Sequence, residues 1–133
     1  MDQHATGPFD VKMTPQPADG YADGATLGRM TLDKQFRGAL EATGKGQMLT
    51  GMGGVKGSAG YVAIERVTGT LNGRQGSFVL QHTGVMDRGT PRLTITVVPD
   101  SGTDGLQGLA GTMTIEAAAG GKHSYDFNYT LGG

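Results

Sequence analysis

The stretch Tyr61-Val62-Ala63-Ile64-Glu65-Arg66-Val67-Thr68-Gly69-Thr70-Leu71, then Asn72-Gly73, then Arg74-Gln75-Gly76-Ser77-Phe78-Val79-Leu80-Gln81-His82-Thr83 decides the fold of this chain. Side-chain character alternates with period two on both sides of Asn72-Gly73. An Asn-Gly pair between alternating runs marks a tight hairpin, because a type I′ turn needs positive φ at both central residues. Pairing Leu71 with Arg74 places Glu65 opposite Leu80, Ala63 opposite His82 and Val67 opposite Phe78. One face of the hairpin then carries Tyr61, Ala63, Glu65, Val67, Phe78, Leu80 and His82. The other carries Val62, Ile64, Arg66, Thr68, Ser77, Val79, Gln81 and Thr83. The first face is bulkier and more apolar, so it should point inward. Two ionisable groups go in with it. Glu65 and His82 are diagonal neighbours, roughly 7–8 Å apart at Cα and within side-chain reach of one another.

Working outward, the same period recurs along the chain. Phe9, Val11 and Met13 alternate with Asp10 and Lys12; Met30, Leu32 and Phe36 alternate with Thr31, Asp33 and Gln35. Leu40, Ala42 and Met48 follow, and beyond the hairpin come Leu93-Ile95-Val97, Met113-Ile115 and Tyr125-Phe127-Tyr129-Leu131. That predicts eight strands and no helix; the run from Gln35 to Ala42 comes nearest to helical spacing, and Gly38 weakens it. Eight antiparallel strands in succession leave two open edges unless the ends join. The expected fold is therefore all-β, a closed eight-stranded antiparallel up-and-down barrel, with residues 1–133 forming one domain. Barrels of this size have interiors filled by side chains or holding one small ligand. Gly44, Gly46, Gly69 and Gly84 fall inside strands, where closure needs bends. Residues 14–26, rich in Pro, Asp and Gly, and residues 50–60, with five glycines, read as surface loops and candidate lids.

Composition narrows the function. Glycine makes up 25 of 133 residues, nearly three times the usual share of about 7%. Eleven Lys and Arg against twelve Asp and Glu give a net charge of -1, which argues against a nucleic-acid partner, since phosphate binding needs a basic excess. There is no cysteine, no apolar run long enough to span a membrane, and no basic–apolar leader at the start. The expectation is a cytoplasmic protein with no membrane partner. His4, His82 and His123 are scattered with no HExxH spacing, so no metal site is expected, and no nucleotide-binding or nucleophile-elbow motif occurs, so no cofactor is expected either. Residues 99–105 have the acidic spacing of a weak calcium loop but lack its final glutamate and read as a turn.

Applied to the other strands, the parity argument sends Lys34, Phe36, His123, Tyr125 and Tyr129 inward. With Tyr61, Phe78 and Leu80 they form an apolar wall carrying a few polar groups. A carboxylate taken out of water costs several kcal/mol unless it is paired or protonated. Glu65 therefore needs His82 or Lys34 beside it, or a raised pKa, and either state suits acid–base work on a bound molecule.

The runs GYVAIERVTG (60–69) and GRQGSFVLQHTG (73–84) resemble the bacterial Domain of Unknown Function family thirty-two twenty-four. So do KQFRG (34–38), Val98-Pro99 with Ser101-Gly102-Thr103, Gly108-Leu109-Ala110-Gly111 and the closing Tyr125-Asp126-Phe127-Asn128-Tyr129, together covering roughly residues 8–131. The resemblance implies a barrel like that of allene oxide cyclase, lipocalin-like (calycin-like) in outline. By analogy it implies an isomerase or cyclase that holds an apolar substrate in one conformation, with Glu65, Gln81 and His82 at the matching motif positions. Gln81 enters on this resemblance alone, because the register turns it outward. The expected function is thus a cofactor-free isomerase or cyclase, with Glu65 and His82 catalytic. Lys34, Phe36, Tyr61, Phe78, Leu80, Gln81, Tyr125 and Tyr129 would then contact a small hydrophobic ligand. The alternatives are a barrel that binds such a ligand without changing it, and a filled barrel that assembles as a homo-oligomer.

Overall fold

A computed structural model describes residues 3–17, 27–118 and 120–132. Eight strands follow one another in sequence: β1 Gln3–Gln16, β2 Leu27–Phe36, β3 Leu40–Met52, β4 Ala59–Leu71, β5 Arg74–Asp87, β6 Thr90–Val97, β7 Leu109–Ala117 and β8 His123–Leu131. Each pairs antiparallel with the next, and β8 pairs back onto β1, so the sheet is a closed barrel. The hairpin register is the expected one, with Glu65 opposite Leu80, Ala63 opposite His82 and Val67 opposite Phe78. Asn72 and Gly73 both have positive φ, 47° and 86°, as the tight turn requires.

The seams are unequal. β3 pairs with β4 from Leu40 to Met52, whereas β6 meets β7 only at Ile95–Met113 and Thr96–Thr112. The link between β6 and β7 runs on beside β5 instead. Ser77 N–H donates to Thr103 Oγ1 and Val79 N–H to Ser101 Oγ, both at 3.0 Å, while the Ser77 and Val79 carbonyls accept from Thr103 and Val98 N–H at 2.9 Å, so hydroxyls and amides together replace a strand partner there. The link then forms a short 3-10 helix, Asp104–Leu106, whose Leu106 is buried in the core. The stretch expected as a simple turn over 99–105 is therefore a plug for one end of the barrel.

Both loop expectations shrink. β1 runs on through Thr14, Pro15 and Gln16, and residues 18–26 lie outside the described residues. β3 and β4 take up residues 50–52 and 59–60, leaving an exposed connection over 53–58. Its Gly57 carbonyl accepts from Gly89 N–H at 3.0 Å and its Ser58 Oγ accepts from Arg88 N–H at 3.1 Å, so it leans on the β5–β6 turn. On the outer surface of β3–β5, Leu49, Val62, Ile64 and Val85 are exposed. No helix among the described residues is long and apolar enough to cross a membrane.

At the plugged end the interior is solid. Leu40, Leu71, Phe78, Leu106, Phe127 and Tyr129 are all buried, with Phe78 and Tyr129 stacked on either side of Phe127 at 5.7 and 5.1 Å between centroids. Tyr125 ties this core to the β2–β3 turn: its hydroxyl donates to the Arg37 carbonyl at 2.6 Å and accepts from Leu40 N–H at 2.9 Å. Tyr125→Phe leaves that buried amide unpartnered, and the expected loss is about 1–3 kcal/mol. Urea unfolding should show it as a lower midpoint with an unchanged slope.

Candidate functional site

The other half of the barrel is open. A cavity of about 460 Å³ lies among Phe9, Val11, Met13, Leu32, Lys34, Met48, Tyr61, Ala63, His82, Met86, Ile115 and His123. These positions come from the middle and later parts of β1, the later parts of β3, β5 and β7, the early parts of β4 and β8 and the second half of β2, and the cup opens at the end opposite the plug. Met13 and Met86 are 52% and 40% exposed, so they sit at the mouth. The volume falls in the range of about 300–1,000 Å³ typical of small-molecule sites.

At the base of this cup lies an ionic cluster. Glu65 Oε1 accepts from Lys34 Nζ at 3.1 Å and from His82 Nε2 at 2.9 Å. All three residues are buried, and Glu65 is fully so. Lys34 Nζ also lies 5.4 Å from the ring centroid of Phe9 and 5.7 Å from that of Phe36, within the range in which aromatic faces attract a cation. Glu65 Oε2 has no hydrogen-bond partner among the described residues. It points at Gly44 on β3, where any Cβ would run into it, with the Phe36 ring close behind. Gly44 is thus the notch that lets the carboxylate fit. Gly84 plays a similar part under Tyr61, directly opposite it in the register, since a side chain there would strike the phenol ring.

Burial by itself pushes the Glu65 carboxyl up. The His82 hydrogen bond, the Lys34 ammonium charge and the remaining contacts with both residues outweigh it, and the net direction is down from the ordinary 4.5. Glu65 is therefore an ionised acceptor at neutral pH, and its bond to His82 fixes Nε2 as the donor. His82 Nδ1 has no hydrogen-bond partner among the described residues. Burial also pushes the Tyr61 hydroxyl up, keeping it protonated.

Glu65, His82 and Lys34 do come together, with Glu65 taking both of the partners considered for it. Lys34, Tyr61, His82 and His123 face the cavity. Phe36, Phe78, Leu80, Tyr125 and Tyr129 point inward but belong to the packed core, and none lines the cup. Gln81 is exposed on the outer surface, as its register required, and has no access to the interior. Phe9, Met13, Leu32, Met48, Ala63, Met86 and Ile115 line the cup without having been singled out as site residues. Their signal was inward parity along their strands. No cluster of three or more His, Asp or Glu side chains that could hold a metal occurs among the described residues.

A closed strand barrel, solid at one end and hollow at the other with a buried ion pair between, defines a small cup-forming β-barrel protein. Within that class, residues 5–129 match the family described as "Protein of unknown function (DUF3224)", and the chain belongs to that family. It is similar to a crystal structure of a protein with unknown function from the same family in Shewanella oneidensis MR-1. The two are 54% identical, superpose with a TM-score of 0.92, and the match covers 100% of this chain and 99% of that one. No curated protein matches.

Two outcomes follow for the ion pair. Folded Glu65 holds its proton less tightly than the unfolded chain does, so its contribution is complete above about pH 4.5 and fades as pH falls through the lowered value. Denaturant midpoints measured from neutral to acid pH should show this loss in the wild type. The charge-free pair Lys34→Met with Glu65→Gln should lack that component. Gly44→Ala, which crowds Oε2, should cost about 1–3 kcal/mol by the same measurement.

Proposed function

We propose that the protein binds a small, largely apolar molecule in the open half of the barrel and isomerises or cyclises it without a cofactor, with His82 as the acting group. The supporting observation is the His82–Glu65 pair at the base of an otherwise apolar cup. Glu65 is fully buried and off the cavity wall, so it orients while the imidazole acts. With Nε2–H bound to the carboxylate, the neutral ring keeps its lone pair on Nδ1, the arrangement used when a carboxylate sets a histidine as a general base. His82 Nδ1 takes a proton from one position of the ligand and returns it at another. No group is gained or lost, which is why no cosubstrate is needed. The Lys34 ammonium, within reach of the same carboxylate oxygen, steadies the negative charge that develops between the two steps. The apolar wall holds one conformer and excludes water.

A second reading has its own support. The direct Lys34–Glu65 ion pair already neutralises the base of the cup, as a passive ligand-holding barrel would require.

The test begins with native mass spectrometry of the purified protein to find a co-purified ligand, followed by incubation of that ligand with the protein in D₂O. Wild type should place deuterium in the ligand or rearrange it, and His82→Gln should slow this by about 10²–10⁴-fold while still binding. A ligand that binds and returns unlabelled and unchanged supports the passive barrel instead. Undiminished turnover by His82→Gln removes the imidazole from the mechanism.

A further inference from the structure

The polar lining of the cup is cationic or neutral among the described residues. Lys34, Tyr61, His82 and His123 are on its wall, and no carboxylate is among the described lining residues. The nearest acid, Glu65, is turned away: both donors converge on Oε1, and Oε2 is shut into the Gly44 notch. The Lys34 ammonium has three N–H donors and no acceptor capacity. Among the described residues its one oxygen partner is Glu65 Oε1, and beyond that it meets the faces of Phe9 and Phe36. Its side chain is only 6% exposed. An ammonium so deeply placed has donors left over and little water to meet them.

We infer that the ligand carries one anionic group of carboxylate type, seated head-down on the Lys34 ammonium, with its apolar body directed toward Met13, Met48 and Met86 at the mouth. This rests on the reading of the cup as a ligand site. Lys34 Nζ gives one of its three N–H groups to Glu65 Oε1, which leaves two for a second anion. A neutral hydroxyl accepts from the ammonium without the added charge attraction, and a cationic head opposes it. Thioether side chains adapt to bodies of different shape, so selectivity resides in the head and tolerance in the body.

Three compounds with one body and different heads test this on the full-length protein by titration calorimetry: para-butylbenzoate, para-butylbenzyl alcohol and para-butylbenzylammonium. The benzoate should bind at least tenfold more tightly than the alcohol, and the ammonium compound should not bind. Equal affinity for benzoate and alcohol overturns the head-group inference and leaves the cup as a ligand site. Binding of none of the three overturns the cup itself. Lys34→Met with Glu65→Gln removes both charges together, which avoids stranding one of them in the interior. This variant, shown to be folded by its circular dichroism, should bind benzoate no better than alcohol. A benzoate preference that survives in it also overturns the inference.

Discussion

An ionised carboxylate in the interior of a barrel is the constraint on which the rest of this structure depends. Glu65 has no contact with solvent, and burying such a charge alone would cost several kcal/mol. Four consecutive strands relieve it: β4 carries the carboxylate, β2 supplies Lys34, β5 supplies His82, and β3 supplies the space at Gly44. A slip of one residue along β4 would turn Glu65 to the outside and bring Arg66 in, separating the glutamate from both partners. The cluster therefore locks the register of half the barrel.

The cluster also sits at the boundary between two kinds of interior. Toward the plug, Phe78, Phe127, Tyr129 and Leu106 fill the cross-section with rigid rings and branched chains. Toward the mouth, the inward positions are held by methionines, Ala63 and half-buried residues such as Val11 and Tyr61, which leave a space of about 460 Å³. Packing thus fills one end and leaves a cavity at the other. The charged layer forms the wall between them, dry on its lower side and reachable from above through His82 and Lys34.

Much of this was legible in the sequence. The Asn72-Gly73 turn fixed a register that the structure reproduces residue for residue, and parity then identified Glu65, His82 and Lys34 as inward groups. Alternation with period two reports the face on which a side chain lies but not its depth along the barrel axis. For that reason Phe36, Phe78, Leu80, Tyr125 and Tyr129 were correctly sent inward yet wrongly assigned to the ligand wall. Gln81 shows the opposite case, where the register pointed outward and the motif resemblance pointed in; the register was right. The plug over 98–108 was hidden because it bonds to β5 through a mixture of the Val98 and Thr103 amides and the Ser101 and Thr103 hydroxyls, which carries no periodic signal.

The short seam between β6 and β7 has a mechanical meaning. A barrel shares load among its staves only where neighbouring ladders are long, and here one joint has two rungs while its neighbours have eight or nine. Past Ile95 and Met113 the two strands part toward the mouth, next to Ile115 on the cup wall. The molecule is therefore a stiff gutter, β7-β8-β1-β2-β3-β4-β5-β6, stapled into a tube along a single weak line. That line begins at Ile95, the register partner of His82, so the weak joint borders the cup on the imidazole's side.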